Sequence, residues 1–280
     1  MSIETIKKYS WFDSGMDGAA AVQPGGQWAQ SAYEAMAPLY DDFTAHHDYE
    51  LWLGNLLPKL RRHGLSGRRL LDVGCGTGKS FLPMLERGWE VTACDISPSM
   101  VELARAKSGA AARLSVADMR ELPVFGEFDL VWALDDAVNY LLSPEELGRA
   151  LSGMRANMAP GGLLMFDVNC LQTYRSFFAE EQRVRRRGRT LVWRGQGSTD
   201  AAPGSTSEAR FEVQSGPDAE RFPAHVHRQR HFPEAEVLRL LAGAGLECLD
   251  VYGHGVDAVP KQPVEELIHA KAVYMARRPF

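Results

Sequence analysis

Between residues 68 and 169, short apolar runs alternate with segments that carry helix signals. Ser97-Pro98 and Ser143-Pro144 mark two helix starts, because a serine side chain can cap the first turn and proline fits the first helical position. The second of these helices is predicted to run to about Met158, and a further helix is predicted from Gly78 to about Arg87. Such alternation is typical of a parallel sheet built from β-α-β units. It predicts an α/β fold whose first five strands are RRLLDV (68–73), WEVTACD (89–95), RLSVAD (113–118), FDLVWALD (128–135) and LLMFDVN (163–169).

The pattern changes on both sides of this block. Two helices are predicted ahead of it, at 28–43 and 48–63, and residues 1–27 are expected to form a loose extension. Between 171 and 232 helical spacing disappears, and three antiparallel strands are predicted instead. A helix from 233 to 244 and strands at 246–253 and 270–278 then resume the α/β pattern. We therefore expect one domain, formed by 28–170 and 233–280, that is interrupted by an antiparallel β insertion at 171–232.

Composition excludes several classes of protein. The 280 residues include 31 Lys or Arg and 36 Asp or Glu, and this net charge of −5 argues against a dedicated nucleic-acid binder. The four cysteines form no C-x-x-C pair, so no zinc site, no disulfide framework and no other metal site is expected. No apolar run approaches the roughly 18 to 20 residues of a membrane span, so no membrane partner is expected. A cytoplasmic protein with reduced thiols is the simplest expectation.

The most informative segment joins the first strand to glycines at alternate positions, in Asp72-Val73-Gly74-Cys75-Gly76-Thr77-Gly78. Glycines allow a tight turn and let a ligand lie against bare backbone. Asp95 ends the second strand, where a carboxylate can accept hydrogen bonds from both hydroxyls of a ribose. The spacing is G-x-G-x-G and not the G-x-G-x-x-G that seats a pyrophosphate, so it favours a nucleoside without phosphates over NAD.

Together with Asp118-Met119 after the third strand, this motif resembles the class I S-adenosylmethionine (SAM)-dependent methyltransferases. The resemblance covers about residues 28–280 without the insertion. It implies SAM as the cofactor and a Rossmann-like, seven-stranded, mostly parallel sheet with an antiparallel last strand. The sequence Tyr33-x6-Tyr40-Asp41 resembles the N-terminal helical lid of glycine N-methyltransferase-like and natural-product small-molecule N-methyltransferases.

The resemblance also implies roles for single residues at the cofactor. Asp95 would bind the ribose, Asp118 would accept from the adenine amino group, and Asp72 would organise the glycine loop. The other implied contacts are Gly74, Cys75, Gly76 and Gly78 under the methionine and ribose, Ile96, Met100 and Met119 around the adenine, and Tyr33 and Leu134 near the methionine.

Candidate acceptor and catalytic residues follow the fourth strand and lie in the insertion. Asp136 is the leading candidate for contacting the acceptor, although Asp135 and Asp136 could instead form an N-cap for the next turn. Tyr33 and Tyr40 are expected to close over the sulfonium, whose charge aromatic faces stabilise. His225 and His227 share strand parity and are the candidate bases. The remaining candidates for acceptor binding are Asn139, Asn169, Tyr174 and Arg230.

The sequence thus predicts SAM-dependent methyl transfer to a small-molecule acceptor, and analogy with the family suggests secondary metabolism in bacteria. An amine nitrogen is favoured over a hydroxyl because no His-Asp or Lys base is evident in the sequence. One alternative is an O-methyltransferase with a base from His225 or His227. Others are an RNA or protein methyltransferase that reads its target through the arginines of 183–189, and a regulatory subunit that binds SAM without catalysis. A homo-oligomer is left open.

Overall fold

The computed structural model describes residues 25–255 and 258–280, so most of the expected extension at 1–27 lies outside the described residues. The helices are α1 (Gly26–Phe43), α2 (Tyr49–Arg62), α3 (Leu82–Glu86), α4 (Pro98–Ser108), α5 (Pro144–Ala156), α6 (Leu171–Arg175) and α7 (Glu234–Gly243). The strands are β1 (Arg69–Val73), β2 (Glu90–Asp95), β3 (Ala112–Val116), β4 (Phe128–Ala133), β5 (Met158–Asn169), β6 (Glu181–Arg186), β7 (Arg189–Gly195), β8 (Thr206–Ser215), β9 (His225–Arg230), β10 (Glu247–His254) and β11 (Lys271–Arg277).

Seven strands form one sheet in the order β10-β11-β5-β4-β1-β2-β3. β1 pairs in parallel with both β2 and β4, and β11 pairs antiparallel with both β5 and β10. The predicted Rossmann-like α/β sheet with an antiparallel last strand is therefore confirmed. Because β1, β2 and β4 are parallel neighbours, their carboxyl ends meet at one edge of the sheet, where open α/β sheets bind ligands.

The segment at 171–232 forms a second, antiparallel sheet in the order β6-β7-β8-β9. It has four strands where the sequence predicts three. The missed strand is β6, EQRVRR, which has one apolar residue in six and lies at the sheet edge, so it lacks the apolar alternation that marks a strand. The basic cluster at 183–189 forms the β6–β7 hairpin, whose turn is Arg187-Gly188.

Two predicted helices differ from those observed. The helix expected from Gly78 to Arg87 is limited to α3, because Gly76 and Gly78 have φ values of +53° and +88° and the chain turns until Phe81. The helix expected to reach Met158 ends at Ala156, and Met158 already belongs to β5.

The two N-terminal helices pack on different parts of the molecule. Leu53, Leu56 and Leu60 of α2 are fully buried in a cluster with side chains of the seven-stranded sheet. Met36 and Phe43 of α1 pack instead with aromatic residues of the second sheet and α6. α2 therefore packs on the large sheet and α1 on the second sheet. No helix in the described part of the chain is long and apolar enough to cross a membrane.

Candidate functional site

The glycine loop follows β1 and is held by main-chain and side-chain contacts. The amides of Gly74 and Cys75 both donate to the carbonyl of Cys94, at 2.8 and 3.0 Å. The buried carboxyl of Asp72 accepts a hydrogen bond of 2.5 Å from Ser80 Oγ, and burial raises the pKa of Asp72 to about 7. Asp72 is thus hydrogen-bonded to the turn that follows the glycines, and its organising role stays a prediction.

A first cavity opens above this loop. Ten of the residues predicted from the sequence line this cavity, namely Tyr33, Tyr40, Gly74, Cys75, Gly76, Asp95, Ile96, Asp118, Met119 and Leu134. Asp135 and Tyr140 line it as well. Asp72, Gly78 and Met100 do not line the cavity. For Met100 this corrects the expected contact with adenine, because its side chain is fully buried beneath the start of α4.

Two carboxyls offer acceptors in the first cavity. Asp95 accepts hydrogen bonds from the amides of Gly76 (2.8 Å) and Ser97 (2.9 Å), and burial raises its pKa to about 6. Asp118 accepts from Arg120 through Oδ1, whereas its Oδ2 is buried without a partner among the described residues. A buried carboxylate oxygen without a donor is costly unless a ligand supplies one. Both carboxyls therefore suit an adenosine, whose ribose hydroxyls and amino group are donors.

A second cavity lies beside the first, between α1, the carboxyl edge of the large sheet and the second sheet. Its lining is largely aromatic, with Phe43, Phe177, Phe178 and Trp193 along the walls. The two cavities share four lining residues, which are Tyr33, Tyr40, Asp135 and Tyr140. Burial raises the pKa of both Tyr33 and Tyr40 well above the ordinary value, so their phenols keep their protons. We call these four residues the junction.

A cluster of charged groups faces the junction. Lys271 Nζ lies 2.6 Å from Asp135 Oδ1, 2.7 Å from Asp136 Oδ1 and 3.1 Å from Asp167 Oδ2. Although burial opposes its charge, these three carboxyls hold the pKa of Lys271 well above its usual range. Burial raises the pKa of Asp167 to about 6, and its carboxyl accepts from the amides of Asp135 and Asp136.

Asp135 and Asp136 have left-handed backbone conformations, with φ values of +61° and +55°. Such conformations are strained for non-glycine residues and are concentrated at functional sites. Asp136 makes no side-chain capping hydrogen bond to the short helix that follows. The alternative interpretation of the pair as an N-cap is therefore wrong, and the two carboxyls instead contact Lys271 and the second cavity.

The structure also overturns one premise of the sequence analysis, the lack of a His-Asp or Lys base. His47 Nδ1 lies 2.7 Å from Asp135 Oδ2, and Tyr49 donates to the same oxygen at 3.2 Å. His47 and Lys271 both line the second cavity. The pair was missed because His47 and Asp135 are 88 positions apart and only the fold brings them together. The preference for nitrogen consequently needs other support.

The two candidate histidines of β9 differ in position. His227 lines the second cavity, and its Nδ1 lies 2.8 Å from the Tyr140 hydroxyl. Burial lowers the pKa of His227 to about 3, so the ring is neutral. His225 does not line either cavity, and its ring packs against Phe211. Its predicted role as a base is therefore not supported by its location.

Three predicted acceptor-binding residues instead support the wall of the site. Asn139 is fully buried and donates to the Tyr174 hydroxyl (3.0 Å) and the Arg230 carbonyl (2.8 Å). The guanidinium of Arg230 pairs with Glu236 at 2.6 Å. Asn139, Tyr174 and Arg230 all lie outside the lining of both cavities. Asn169 does line the second cavity, where its Nδ2 donates to Gln229 Oε1 at 2.8 Å.

Several site residues were not assigned by the sequence analysis, namely His47, Tyr49, Asp135, Tyr140, Asp167, Gln229 and Lys271. Asp135 and Tyr140 carried a usable signal, since they open and close the segment DDAVNY after β4. The others come from α2, β5, β9, β11 and the turn before α2, which have no common motif. No group of three or more potential metal ligands occurs within residues 25–255 and 258–280.

The chain is similar to known methyltransferases. Residues 70–162 match the family model described as a methyltransferase domain. The chain is 28% identical to the putative methyltransferase YqeM of Bacillus subtilis (strain 168), over 84% of this chain and 94% of that protein. It is also 28% identical to the dTDP-3-amino-3,4,6-trideoxy-alpha-D-glucopyranose N,N-dimethyltransferase of Streptomyces venezuelae, over 75% of this chain and 89% of that protein.

A solved structure with bound SAM shows the same fold. It is CalS10, an amino pentose methyltransferase from Micromonospora echinaspora, with 26% identity, a TM-score of 0.61 and coverage of 83% of this chain and 92% of that chain. The family match, these similarities and the adenosine-compatible cavity agree on the cofactor. Residues 70–162 thus match a methyltransferase domain, and the findings together indicate a SAM-dependent methyltransferase.

Proposed function

We propose that this enzyme methylates an amine nitrogen of a small molecule, and that the acceptor is an amino sugar or a compound of similar size. The observation that carries the proposal is the junction. A methyl group that is bound in the first cavity near Tyr33, Tyr40, Asp135 and Tyr140 can reach a nucleophile in the second cavity only at these four residues.

The electrostatics of the second cavity favour a cationic acceptor. Asp135, Asp136 and Asp167 place three carboxyls around the single ammonium group of Lys271. The phenols of the junction add aromatic faces, which attract cations. An acceptor that arrives as an ammonium ion is thus attracted to the same point at which the methyl group is transferred.

The walls of the second cavity suit a ring with an apolar face. Phe43 stacks with Trp193 at a distance of 6.0 Å between ring centroids, and Phe177 also stacks with Trp193, at 5.0 Å. Asp136, Asn169 and Gln229 supply polar atoms to the same cavity. A combination of aromatic walls and a few polar groups is characteristic of sites for small polar molecules, including sugars.

The chain's own residues have definable tasks in the transfer. SAM supplies an electrophilic methyl group when it is bound. Asp95 and Asp118 would hold its adenosine at the ribose hydroxyls and the amino group, which fixes the position of the sulfur. Tyr33 and Tyr40 from α1 would cover the junction and exclude water. Alignment of this kind accounts for a large part of the rate enhancement in displacement reactions.

Similarity supports an amine acceptor as well. Two of the similar proteins carry names that specify N,N-dimethylation of amino sugars, from Streptomyces venezuelae and Streptomyces fradiae, and each matches 75% of this chain at 28% identity. The match extends through most of both chains and is not limited to the glycine loop. On this basis the proposed setting is the biosynthesis of a natural product.

One observation favours a second candidate, an O-methyltransferase. His227 lines the second cavity, and its Nε2 is buried without a partner among the described residues, so it could accept a proton from a hydroxyl. The arginine-rich hairpin gives less support to an RNA target. Arg183 pairs with Glu181 at 2.5 Å and Arg187 with Asp42 at 3.2 Å, so acidic partners are interleaved with the basic side chains.

Matched acceptors test the proposal. Release of S-adenosylhomocysteine would be measured with SAM and two pairs of compounds, 3-amino-3-deoxyglucose with glucose and benzylamine with benzyl alcohol. We expect the amine of a pair to react at least about tenfold faster than its hydroxyl partner, since Asp135 and the neighbouring carboxyls of Asp136 and Asp167 attract only the ammonium form. Equal or faster reaction of the hydroxyl compounds would favour the O-methyltransferase, and no reaction with either amine would contradict the proposed class of acceptor.

A further inference from the structure

We propose that His47, oriented by Asp135, removes the proton from the acceptor's ammonium group before methyl transfer. This inference rests on the proposed function, because only an amine acceptor arrives with such a proton. It assigns a catalytic role to a residue in the turn between α1 and α2, far in sequence from the candidate histidines of β9.

The geometry of His47 is that of an oriented base. Its Nδ1 is engaged by Asp135 Oδ2 at 2.7 Å, which leaves Nε2 as the ring nitrogen available to a substrate. The side chain is 31% exposed whereas that of Asp135 is 12% exposed, so the carboxyl is the inner member and the imidazole the outer one. His47 lines the second cavity and Asp135 belongs to the junction. A carboxylate that holds one ring nitrogen fixes the tautomer and stabilises the imidazolium that forms.

Asp135 is itself held in place. Its Oδ1 receives a charge-assisted contact of 2.6 Å from Lys271, and Tyr49 donates to its Oδ2 at 3.2 Å. Although burial acts in the opposite direction, Lys271 and His47 hold the pKa of Asp135 well below its usual range. The carboxyl therefore stays ionised and does not compete with His47 for the proton.

Other ionisable groups surround the pair. The ring of His46 packs edge-on against that of His47, with centroids 4.4 Å apart. Lys79 lies over the ring of Tyr49 at 6.0 Å and lowers the pKa of His46 further, after burial and the neighbouring His47. Asp48 and Lys271 are charged residues that line a cavity together with His47.

The step balances as a proton transfer followed by a displacement. The imidazole takes one proton from the substrate's ammonium group, which frees the nitrogen lone pair. This lone pair forms the new nitrogen–carbon bond as the carbon–sulfur bond breaks, and the bonding pair stays on sulfur as the neutral thioether. The methylated nitrogen leaves as an ammonium ion, and the imidazolium returns its proton to water.

A route for that returning proton is visible. A third cavity is lined by His47, Asp48 and Trp52, and shares Asp135 and Lys271 with the second cavity. His47 therefore lines both cavities and connects the acceptor site to the third cavity. The proton can leave without crossing the junction.

The experiment compares His47→Gln with His63→Gln in the full-length enzyme, with 3-amino-3-deoxyglucose as the probe. His63 is a matched control because its Nε2 makes the same kind of contact with Asp250, at 2.6 Å, and it lines neither the first nor the second cavity. At pH 7 we expect kcat/KM of H47Q for the amine to fall about 100-fold, within the range of general base catalysis, with unchanged affinity for S-adenosylhomocysteine. H63Q should match the wild type.

The dependence of the deficit on pH separates a base from a structural residue. Below the pKa of the ammonium group, which is about 10 for an alkylamine such as lysine, free amine becomes about tenfold more abundant for each unit by which the pH rises. The deficit of H47Q should therefore shrink to a few-fold by pH 9. If H47Q binds S-adenosylhomocysteine poorly, the deciding measurement is the rate of methylation by His47→Ala with and without added imidazole. We expect imidazole to restore part of that rate.

The outcomes that contradict the inference are distinct from those that contradict the proposed function. A deficit in H47Q that is absent, or that stays constant from pH 7 to 9, overturns the role of His47 while methylation of amines by the wild type still stands. If H47A is the variant used, failure of imidazole to restore its rate likewise overturns the role of His47. If the wild type methylates no amine, the proposed function fails and the inference fails with it.

Discussion

At the scale of single residues, Asp95 and Asp118 show how burial can prepare a site for a ligand. Both carboxyls are less than a tenth exposed, and Asp118 leaves one oxygen without a partner among the described residues. The glycine motif, Asp95 and Asp118 lie close together along the chain, and each stands at or just after the end of a strand. This is why the cofactor side of the site could largely be predicted from the sequence.

The acceptor side could not be predicted in the same way. Lys271 and Asp135 are 136 positions apart, and His47 and Asp135 are 88 apart. A single lysine or histidine at a strand or helix end has no distinguishing pattern, since such residues are common on protein surfaces. Only the pairing of β11 with β5 brings Lys271 beside Asp167 and the end of β4.

Asp95 also supports a prediction about pH. Because burial raises its pKa to about 6, the carboxyl takes up a proton as the pH falls through that value and loses acceptor strength toward ribose hydroxyls. We expect the Kd for SAM, measured by calorimetry, to rise by up to about tenfold per pH unit below 6. Asp95→Asn should bind about 10- to 100-fold more weakly at pH 8, as expected for lost hydrogen bonds to a charged group, and should lose most of the pH dependence.

Asp129→Asn is the matched control for this measurement. Its carboxyl accepts from the Arg69 amide at 2.8 Å at the amino end of β4, away from the first cavity. It should leave both the affinity and its pH dependence unchanged. An Asp95→Asn variant with wild-type affinity at pH 8 would contradict the assignment of Asp95 to the ribose.

At the scale of elements, α1 acts as a cover that is held by specific contacts. Asp41 accepts from Thr77 Oγ1 at 2.6 Å in the glycine loop, and Lys79 donates to the carbonyl of Thr44 at 2.5 Å. Glu34 accepts from Ser97 Oγ at 2.6 Å and from the Ser99 amide at 3.0 Å, at the start of α4. These contacts join the cover to the two turns that surround the first cavity.

Removal of one such contact should speed release of the ligand. We expect Glu34→Ala to raise the dissociation rate of S-adenosylhomocysteine about tenfold in stopped-flow experiments, because hydrogen bonds to a charged group contribute about 1.5 to 3 kcal/mol. The measurement is made at pH 8, where Asp95 is ionised in either variant. Glu50→Ala, which breaks an exposed ion pair between α2 and Arg87, should leave the rate within twofold of wild type. Equal rates for both variants would show that α1 does not control release.

The elements themselves were predictable to different degrees. β1 and β4 were evident because parallel central strands are apolar runs that are buried on both faces. β6 was missed because it lies at an exposed edge, where EQRVRR satisfies the backbone pairing without an apolar face. The short α6 was also missed, since five residues give too little periodicity to mark a helix.

At the scale of the whole molecule, function depends on two sheets that were assembled from one chain. The loops after the strands of the large sheet line the first cavity, and the second sheet supplies a wall of the other. α1 packs on the second sheet and is hydrogen-bonded to the glycine loop through Asp41 and Thr77. The residues of the cofactor half belong to a compact sequence motif. The acceptor half depends on contacts across the insertion, where neither spacing nor composition indicates which side chains meet.

The most direct test of the account is to follow the methyl group itself. SAM labelled with 13C in its methyl group would be incubated with the enzyme and 3-amino-3-deoxyglucose, and the product examined by NMR to identify the atom that carries the labelled carbon. The account predicts a labelled carbon on the amino nitrogen, because the Asp135 carboxyl and the three phenols of the junction direct the ammonium group toward the first cavity. A labelled carbon on a hydroxyl oxygen, or no transfer to the sugar, would contradict it.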